Sequence, residues 1–196
     1  MSEIEQSMAD QPNVPTRYRL RKTVVMVGMM GAGKTAVGRA LALRLAVPFL
    51  DSDAEIETAA NMSVPEIFSR DGEPFFRRKE TQVIARLLDK ERGILSTGGG
   101  AFLSAENREN ISAKGVSIWL DADVDLLWNR VRFKDTRPLL KTSDPKATLT
   151  QMFEARVPHY KLADIAVRSQ SGMSIEDMVD RVIAALLARP DVIEVL

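Results

Sequence analysis

The chain contains no cysteine, which excludes disulfides, thiolate metal sites and cysteine nucleophiles and suits a reducing compartment. It has one histidine, His159, so any Ser-His-Asp triad would have to run through it. No strand–Gly-x-Ser-x-Gly–helix context accompanies that residue, and a partly exposed helix position is the plainer reading. No stretch approaches the run of about eighteen apolar residues that a membrane span needs. Net charge is also missing: Lys plus Arg equals Asp plus Glu at 27 each, so no broad field favours nucleic acid or an anionic membrane as partner. Any basic site must be built locally by a few converging arginines. Residues 1–20 lack an apolar core and carry Pro12 and Pro15, which reads as a disordered N-terminal extension and not a signal peptide. A monomer in the cytoplasm is expected.

What the chain does have is alternation. In 196 residues, enough for one medium domain, short apolar runs alternate with helical stripes. Thr23 to Val27 is an unbroken apolar run, as a buried parallel strand requires. Further strands are expected at 47–50, 93–97, 116–120 and 164–167. Helices are expected at 36–46, in short pieces over 54–70, and at 73–91, 121–132, 148–160 and 174–188. Asp123 and Ser174 are the candidate caps of the fourth and last of these stretches. The polar segment 133–145, broken by Pro138 and Pro145, is a loop. Strands alternating with helices imply an α/β domain over 21–196, a parallel sheet with helices on both faces.

Gly28-Met29-Met30-Gly31-Ala32-Gly33-Lys34-Thr35 satisfies G-x-x-x-x-G-K-S/T between a strand and a helix. Glycines let backbone amides turn inward around a phosphate, and the helix N-terminus adds partial positive charge there. Lys34 supplies a full charge to the β- and γ-phosphates, and Thr35 offers a hydroxyl to Mg²⁺. Gly31, Ala32, Gly33, Lys34, Thr35 and Ala36 are therefore the candidate ATP contacts. Gly31-Ala32-Gly33-x-x-Ala36 also fits the dinucleotide pattern, with Asp51 about twenty residues on. The long turn before Gly31 and the Lys-Thr pair weigh against it.

Asp51 and Asp53 stand at the carboxyl end of the second strand, the edge where ligands bind in an open α/β sheet. With no spare histidine, an aspartate is the natural group to orient an alcohol and accept its proton. Read alone, Asp53 is also an ordinary helix N-cap, and Arg77 with Glu80 an ordinary surface ion pair. Gly98-Gly99-Gly100 is either a turn or a place where a ligand approaches the backbone. Arg137 is either a solvated charge or an arginine that closes over phosphates.

In combination these segments resemble the shikimate kinase family: the phosphate loop, Asp51-x-Asp53, Arg77-x-x-Glu80, Ser96-x-Gly98-Gly99-Gly100, Arg137-Pro138-Leu139-Leu140 and Arg156-x-Pro158-x-Tyr160 follow in that order. The resemblance implies a P-loop nucleoside-monophosphate-kinase-like fold. Its five-stranded parallel sheet has order 2-3-1-4-5, with a substrate-binding lobe near 53–80 and a lid near 133–146. It implies transfer of the γ-phosphate of ATP to shikimate, with Mg²⁺ as cofactor. By position, Asp53 would hold the acceptor hydroxyls, Arg77 and Arg156 its carboxylate, and the backbone at Gly98, Gly99 and Gly100 a hydroxyl. Lys34, Asp53 and Arg137 would be the catalytic set, Arg130 (or Arg132) would lie against adenine, and Thr35 and Asp51 would serve the metal. Other readings on the same scaffold are a gluconate or nucleoside monophosphate kinase; outside it, a nucleotide-gated switch.

Overall fold

The computed structural model describes residues 16–90, 92–134 and 137–196. Strand β1 (Tyr18–Leu20) leads into β2 (Thr23–Val27), whose five residues are all buried. Apolar side chains on both faces of β2 require cover on both sides, and this places it mid-sheet. The following elements are α1 (Lys34–Leu45), β3 (Phe49–Asp51), α2 (Ser52–Ala60), α3 (Val64–Asp71), α4 (Glu73–Lys90), β4 (Ile94–Ser96) and α5 (Ala105–Lys114). Then come β5 (Gly115–Asp121), α6 (Val124–Val131), α7 (Pro145–Tyr160), β6 (Ile165–Arg168), α8 (Ile175–Leu187) and β7 (Ile193–Val195).

The main sheet runs β3-β4-β2-β5-β6, all parallel, which is order 2-3-1-4-5 when counted from β2, as expected. β2 pairs with β4 through Val24↔Ile94 and with β5 through Val24↔Val116. Its neighbours on either side are thus reached by connections that diverge, and a crevice opens beyond its carboxyl end. Helix α1 packs against α8, and α4 against α5 and the α2–α3 pair, burying one apolar core around the sheet. No helix among the described residues is long and apolar enough to cross a membrane.

Caps fall where short polar side chains permit. Asp123 accepts from the Leu126 amide, and Ser174 forms a reciprocal box with Asp177, both as expected. Helix α7 starts at Pro145, three residues earlier than expected, because Asp144 caps it by accepting from Ala147 N and a proline suits the first turn.

Three features depart from the sequence reading. The expected extension over 1–20 ends sooner, because Tyr18–Leu20 pairs antiparallel with β7 in a separate two-stranded sheet, with Tyr18↔Val195 in register. Arg19, within that expected extension, sits opposite Glu194 and pairs with it, as does Arg21 just beyond β1. Residues 1–15 lie outside the described part. Helix α5 was not expected at all: Ile111 is its one buried apolar side chain and the buried Asn107 its other inward position, so it carries no stripe. In the loop after α6, Pro138–Leu140 forms a single 3-10 turn that buries Leu140.

Candidate active site

The segment from Gly28 to Gly33 joins β2 to α1 at the crevice. Gly33, the residue before α1, takes the left-handed conformation (φ 95°) that an L side chain resists. Lys34 is half-buried, and its Nζ donates to the carbonyls of Gly28 (2.7 Å) and Met29 (2.9 Å). Burial pulls its pKa down to about 8, opposed by the nearby charge of Asp53, while Arg137 and Arg156 push the same way as burial. Arg130 of α6 straps the loop, donating to Gly31 O (3.2 Å) and to Ser169 Oγ (3.1 Å). Arg132 points elsewhere, its guanidinium lying 4.5 Å from the Phe133 ring centroid.

Asp51 ends β3 and is itself the cap of α2: Oδ1 accepts from the amides of Asp53 (3.0 Å) and Ala54 (3.1 Å). Its second oxygen, Oδ2, faces Thr35 Oγ1 at 3.4 Å, and Ser96 Oγ lies at the same distance from that hydroxyl. Because Asp51 takes the capping position, Asp53 is free of it. The Asp53 side chain turns into the crevice, where Oδ1 is buried without a hydrogen-bond partner. Burial, with the charge of Asp51 adding, raises the Asp53 pKa to about 6.

Arg77 projects from α4 and donates to Glu80 Oε1 (2.8 Å) and Glu73 Oε1 (3.2 Å). Glu80 is only 1% exposed, so this is not the surface pair that the spacing alone suggests. The triglycine turn after β4 lies against three side chains in succession. A Cβ on Gly98 would stand 3.0 Å from Asp53 Oδ1, one on Gly99 3.1 Å from Arg156 Nη1, and one on Gly100 would collide with the Arg77 guanidinium. Side chains from three different helices thus press on the turn, tightly at Gly98 and Gly99 and within clash distance at Gly100.

Two cavities adjoin here. One, of about 530 Å³, runs from the phosphate loop past Arg130 to Ser169, Met173 and Met178. The other, of about 410 Å³, is walled by Val64, Phe68, Phe76, Arg77, Leu139 and Arg156. Met30, Asp53, Gly98, Gly99 and Arg137 border both. Apart from Arg132, the alternative to Arg130, every candidate site residue carried over from the sequence lines one cavity or the other. Arg137, at the shared border, has its Nε buried without a partner.

Sequence reasoning missed the apolar walls, Met30, Phe68 and Phe76 on one side and Met173 and Met178 on the other. Nothing but their place in the fold separates such residues from core. It also left Tyr160 without a role, although that residue stands one helical turn beyond Arg156.

The profile of the shikimate kinase family matches residues 30–187. The shikimate kinase of Ruegeria pomeroyi is 70% identical over 175 residues, which cover 89% of this chain and 90% of that one. That of Cereibacter sphaeroides is 63% identical over 176 residues, 90% and 88% of the two chains. Among solved structures, shikimate kinase from Acinetobacter baumannii in complex with shikimate superposes with TM-score 0.80 at 36% identity, covering 85% of this chain and 93% of that one. A gluconokinase from Sinorhizobium meliloti shares the fold at TM-score 0.59 and 20% identity. With a family profile that spans most of the chain and relatives this similar over nearly their whole length, the chain belongs to the shikimate kinase family.

Proposed function

We propose that this protein transfers the γ-phosphate of ATP to the 3-hydroxyl of shikimate, giving ADP and shikimate 3-phosphate on the route to chorismate and the aromatic amino acids. The observation that carries this reading is the border shared by the two cavities. Phosphoryl transfer needs donor and acceptor in line on either side of one point, and Asp53, Met30, Gly98, Gly99 and Arg137 surround such a point.

ATP lies in the larger cavity, its β-phosphate ringed by the loop amides and its base beside Arg130. Lys34 exchanges its two carbonyl partners for β- and γ-phosphate oxygens. The phosphates also restore the full charge of its ammonium, since they oppose the burial that depresses its pKa. Shikimate lies in the smaller cavity. Arg77 and Arg156 clamp its carboxylate, the Phe68 and Phe76 rings (centroids 4.8 Å apart) cover its carbocycle, and the Gly98–Gly100 backbone meets a hydroxyl. Asp53 accepts the proton of the attacking hydroxyl as its oxygen bonds to the γ-phosphorus and the β–γ bridging bond breaks. A carboxylate with a pKa near 6 is ionised at neutral pH yet basic enough for that task. Lys34 and Arg137 neutralise charge on the transferring group.

Thr35 and Asp51 would hold Mg²⁺: a hydroxyl and a carboxylate oxygen 3.4 Å apart are hard oxygen donors of the kind that ion takes. When bound, the ion supplies Lewis-acid neutralisation of the phosphate oxygens. We read 53–80 as the substrate lobe and 133–146 as a lid, supported by Arg137 and Leu139 on the cavity walls. Use of ATP supports a cytoplasmic site of action. A coupled assay of ADP release against shikimate, gluconate and nucleoside monophosphates tests the assignment. Turnover is expected with shikimate alone, and equal or faster turnover with another acceptor would overturn it.

A further inference from the structure

The three carbonyls of the triglycine turn are held in different ways. Those of Gly98 and Gly100 accept the backbone amides of Ala101 and Leu103. The Gly99 carbonyl instead accepts the Tyr160 hydroxyl. Consecutive glycines have the softest peptide planes in a chain, and here the middle one is fixed by a side chain from the far end of α7.

Tyr160 is well placed to be rigid. It is fully buried, its ring stacks on Trp119 (centroids 6.1 Å apart, planes at 28°), and its oxygen lies 3.8 Å from the Met29 sulfur. Arg156 stands four residues earlier on the same face of α7. Its guanidinium faces the Tyr160 hydroxyl closely enough to oppose the rise in that hydroxyl's pKa, and its Nη1 would lie 3.1 Å from a Cβ on Gly99. A phenol offers one donor and two acceptor sites, so one hydroxyl can serve both neighbours: the proton goes to Gly99 O, and its lone pairs are left to face Arg156. Burial raises the pKa of Tyr160 against the pull of Arg156, which keeps the proton in place for that donation.

We propose that Tyr160 is a positioning residue for the acceptor, its hydroxyl fixing the Arg156 guanidinium and the Gly99 peptide in the one arrangement that receives the substrate carboxylate and hydroxyl. Arginine has a long, rotamer-rich side chain, and a guanidinium pre-aimed by a buried hydroxyl loses less freedom when the carboxylate arrives. The proposal rests on the reading of Arg156 as a carboxylate clamp. It adds a residue that touches neither substrate and acts only through two that do.

Steady-state kinetics on Tyr160→Phe, Arg156→Lys and the double variant test it. Phenylalanine keeps the ring and its packing on Trp119, so Tyr160→Phe folds, which a thermal melt verifies. The expected result is a rise of about tenfold in the KM for shikimate, with kcat and the KM for ATP within about twofold of the parent. The double variant is expected to be no worse than Arg156→Lys alone, because the hydroxyl then has no guanidinium to aim. If Arg156→Lys raises the shikimate KM but Tyr160→Phe leaves it unchanged, or if the two effects multiply in the double variant, positioning by Tyr160 is wrong while the clamp stands. A fall in kcat with both KM values unchanged would mark a merely structural hydroxyl and also overturn the proposal. If Arg156→Lys itself leaves the shikimate KM unchanged, the clamp fails and the proposal with it.

Discussion

Arg77 donates to Glu80 Oε1 over 2.8 Å, and Glu80 is sealed beneath it at 1% exposure. A carboxylate in that position is tolerated only because the guanidinium compensates it. Burial raises its pKa, and Arg77 opposes the rise. Glu80→Ala is expected to release Arg77 from its orientation and weaken shikimate binding, with ATP binding retained. Its stability cost should approach the roughly 3 kcal/mol typical of breaking a buried pair, and not the few tenths of an exposed i,i+3 pair. Urea titration with a shikimate KM measurement checks both. A loss under about 0.5 kcal/mol would put Glu80 at the surface.

Gly100 gives a cleaner probe of the same guanidinium. Its backbone (φ −93°, ψ −10°) is one that alanine adopts without strain, so only the new methyl matters, and that methyl would meet Arg77. Gly100→Ala should fold normally and raise the shikimate KM by about tenfold or more, leaving the ATP KM in place. Parallel losses for both ligands would point to a collapsed turn instead.

Lys34 sets the phosphate side. Lys34→Ala removes the only side-chain ammonium in the phosphate loop, and kcat/KM should fall by several orders of magnitude, roughly 4 kcal/mol or more of transition-state stabilisation. The fold should survive, since the Met29 carbonyl also accepts the Ala32 amide. Near-normal turnover in a folded variant would remove the phosphate loop from the mechanism.

The pKa of Asp53 has two consequences of opposite sign. Activity needs the carboxylate, so kcat/KM should fall as pH drops through about 6, and Asp53→Asn should abolish both the limb and the turnover. Stability runs the other way. The folded-state pKa lies above the ordinary aspartate value of 3.8, so charging Asp53 costs the fold, a penalty fully present above about 6 and relieved as pH falls toward 4. Asp53→Asn should therefore stabilise the ligand-free protein at pH 7.5 by roughly 2 kcal/mol while inactivating it. Chemical denaturation at pH 7.5 and pH 4 reads this directly, and equal effects at the two pH values would mean that Asp53 is solvated.

Much of this was legible in the chain. The β2 run, the glycine-lysine-threonine loop and the strand–helix alternation are local patterns with local causes, and they gave the sheet order through resemblance. The Asp51–Asp53 pair was visible, but which residue caps α2 depends on the bend between β3 and α2. The sequence reading offered the cap to Asp53, and the structure gives it to Asp51. Helix α5 was invisible because it buries a single aliphatic side chain and an asparagine, leaving no period to detect. The β1–β7 sheet was invisible because its strands lie at opposite ends of the chain, and three-residue strands carry too little alternation to register. Tyr160 was in view as part of a motif, yet its contact with Gly99 spans 61 residues and no spacing rule reaches across it.

The central claim is that the smaller cavity binds a carboxylate through arginine forks, and Arg77→Lys tests it most directly. Lysine keeps the charge but not the planar bidentate geometry, a difference of roughly 1.5–3 kcal/mol at a charge-assisted pair. Calorimetric titration of shikimate and of ATP into the folded variant should show shikimate affinity reduced about tenfold to a hundredfold and ATP affinity unchanged. Equal, small losses for the two ligands would contradict the carboxylate clamp and, with it, the assignment of the acceptor.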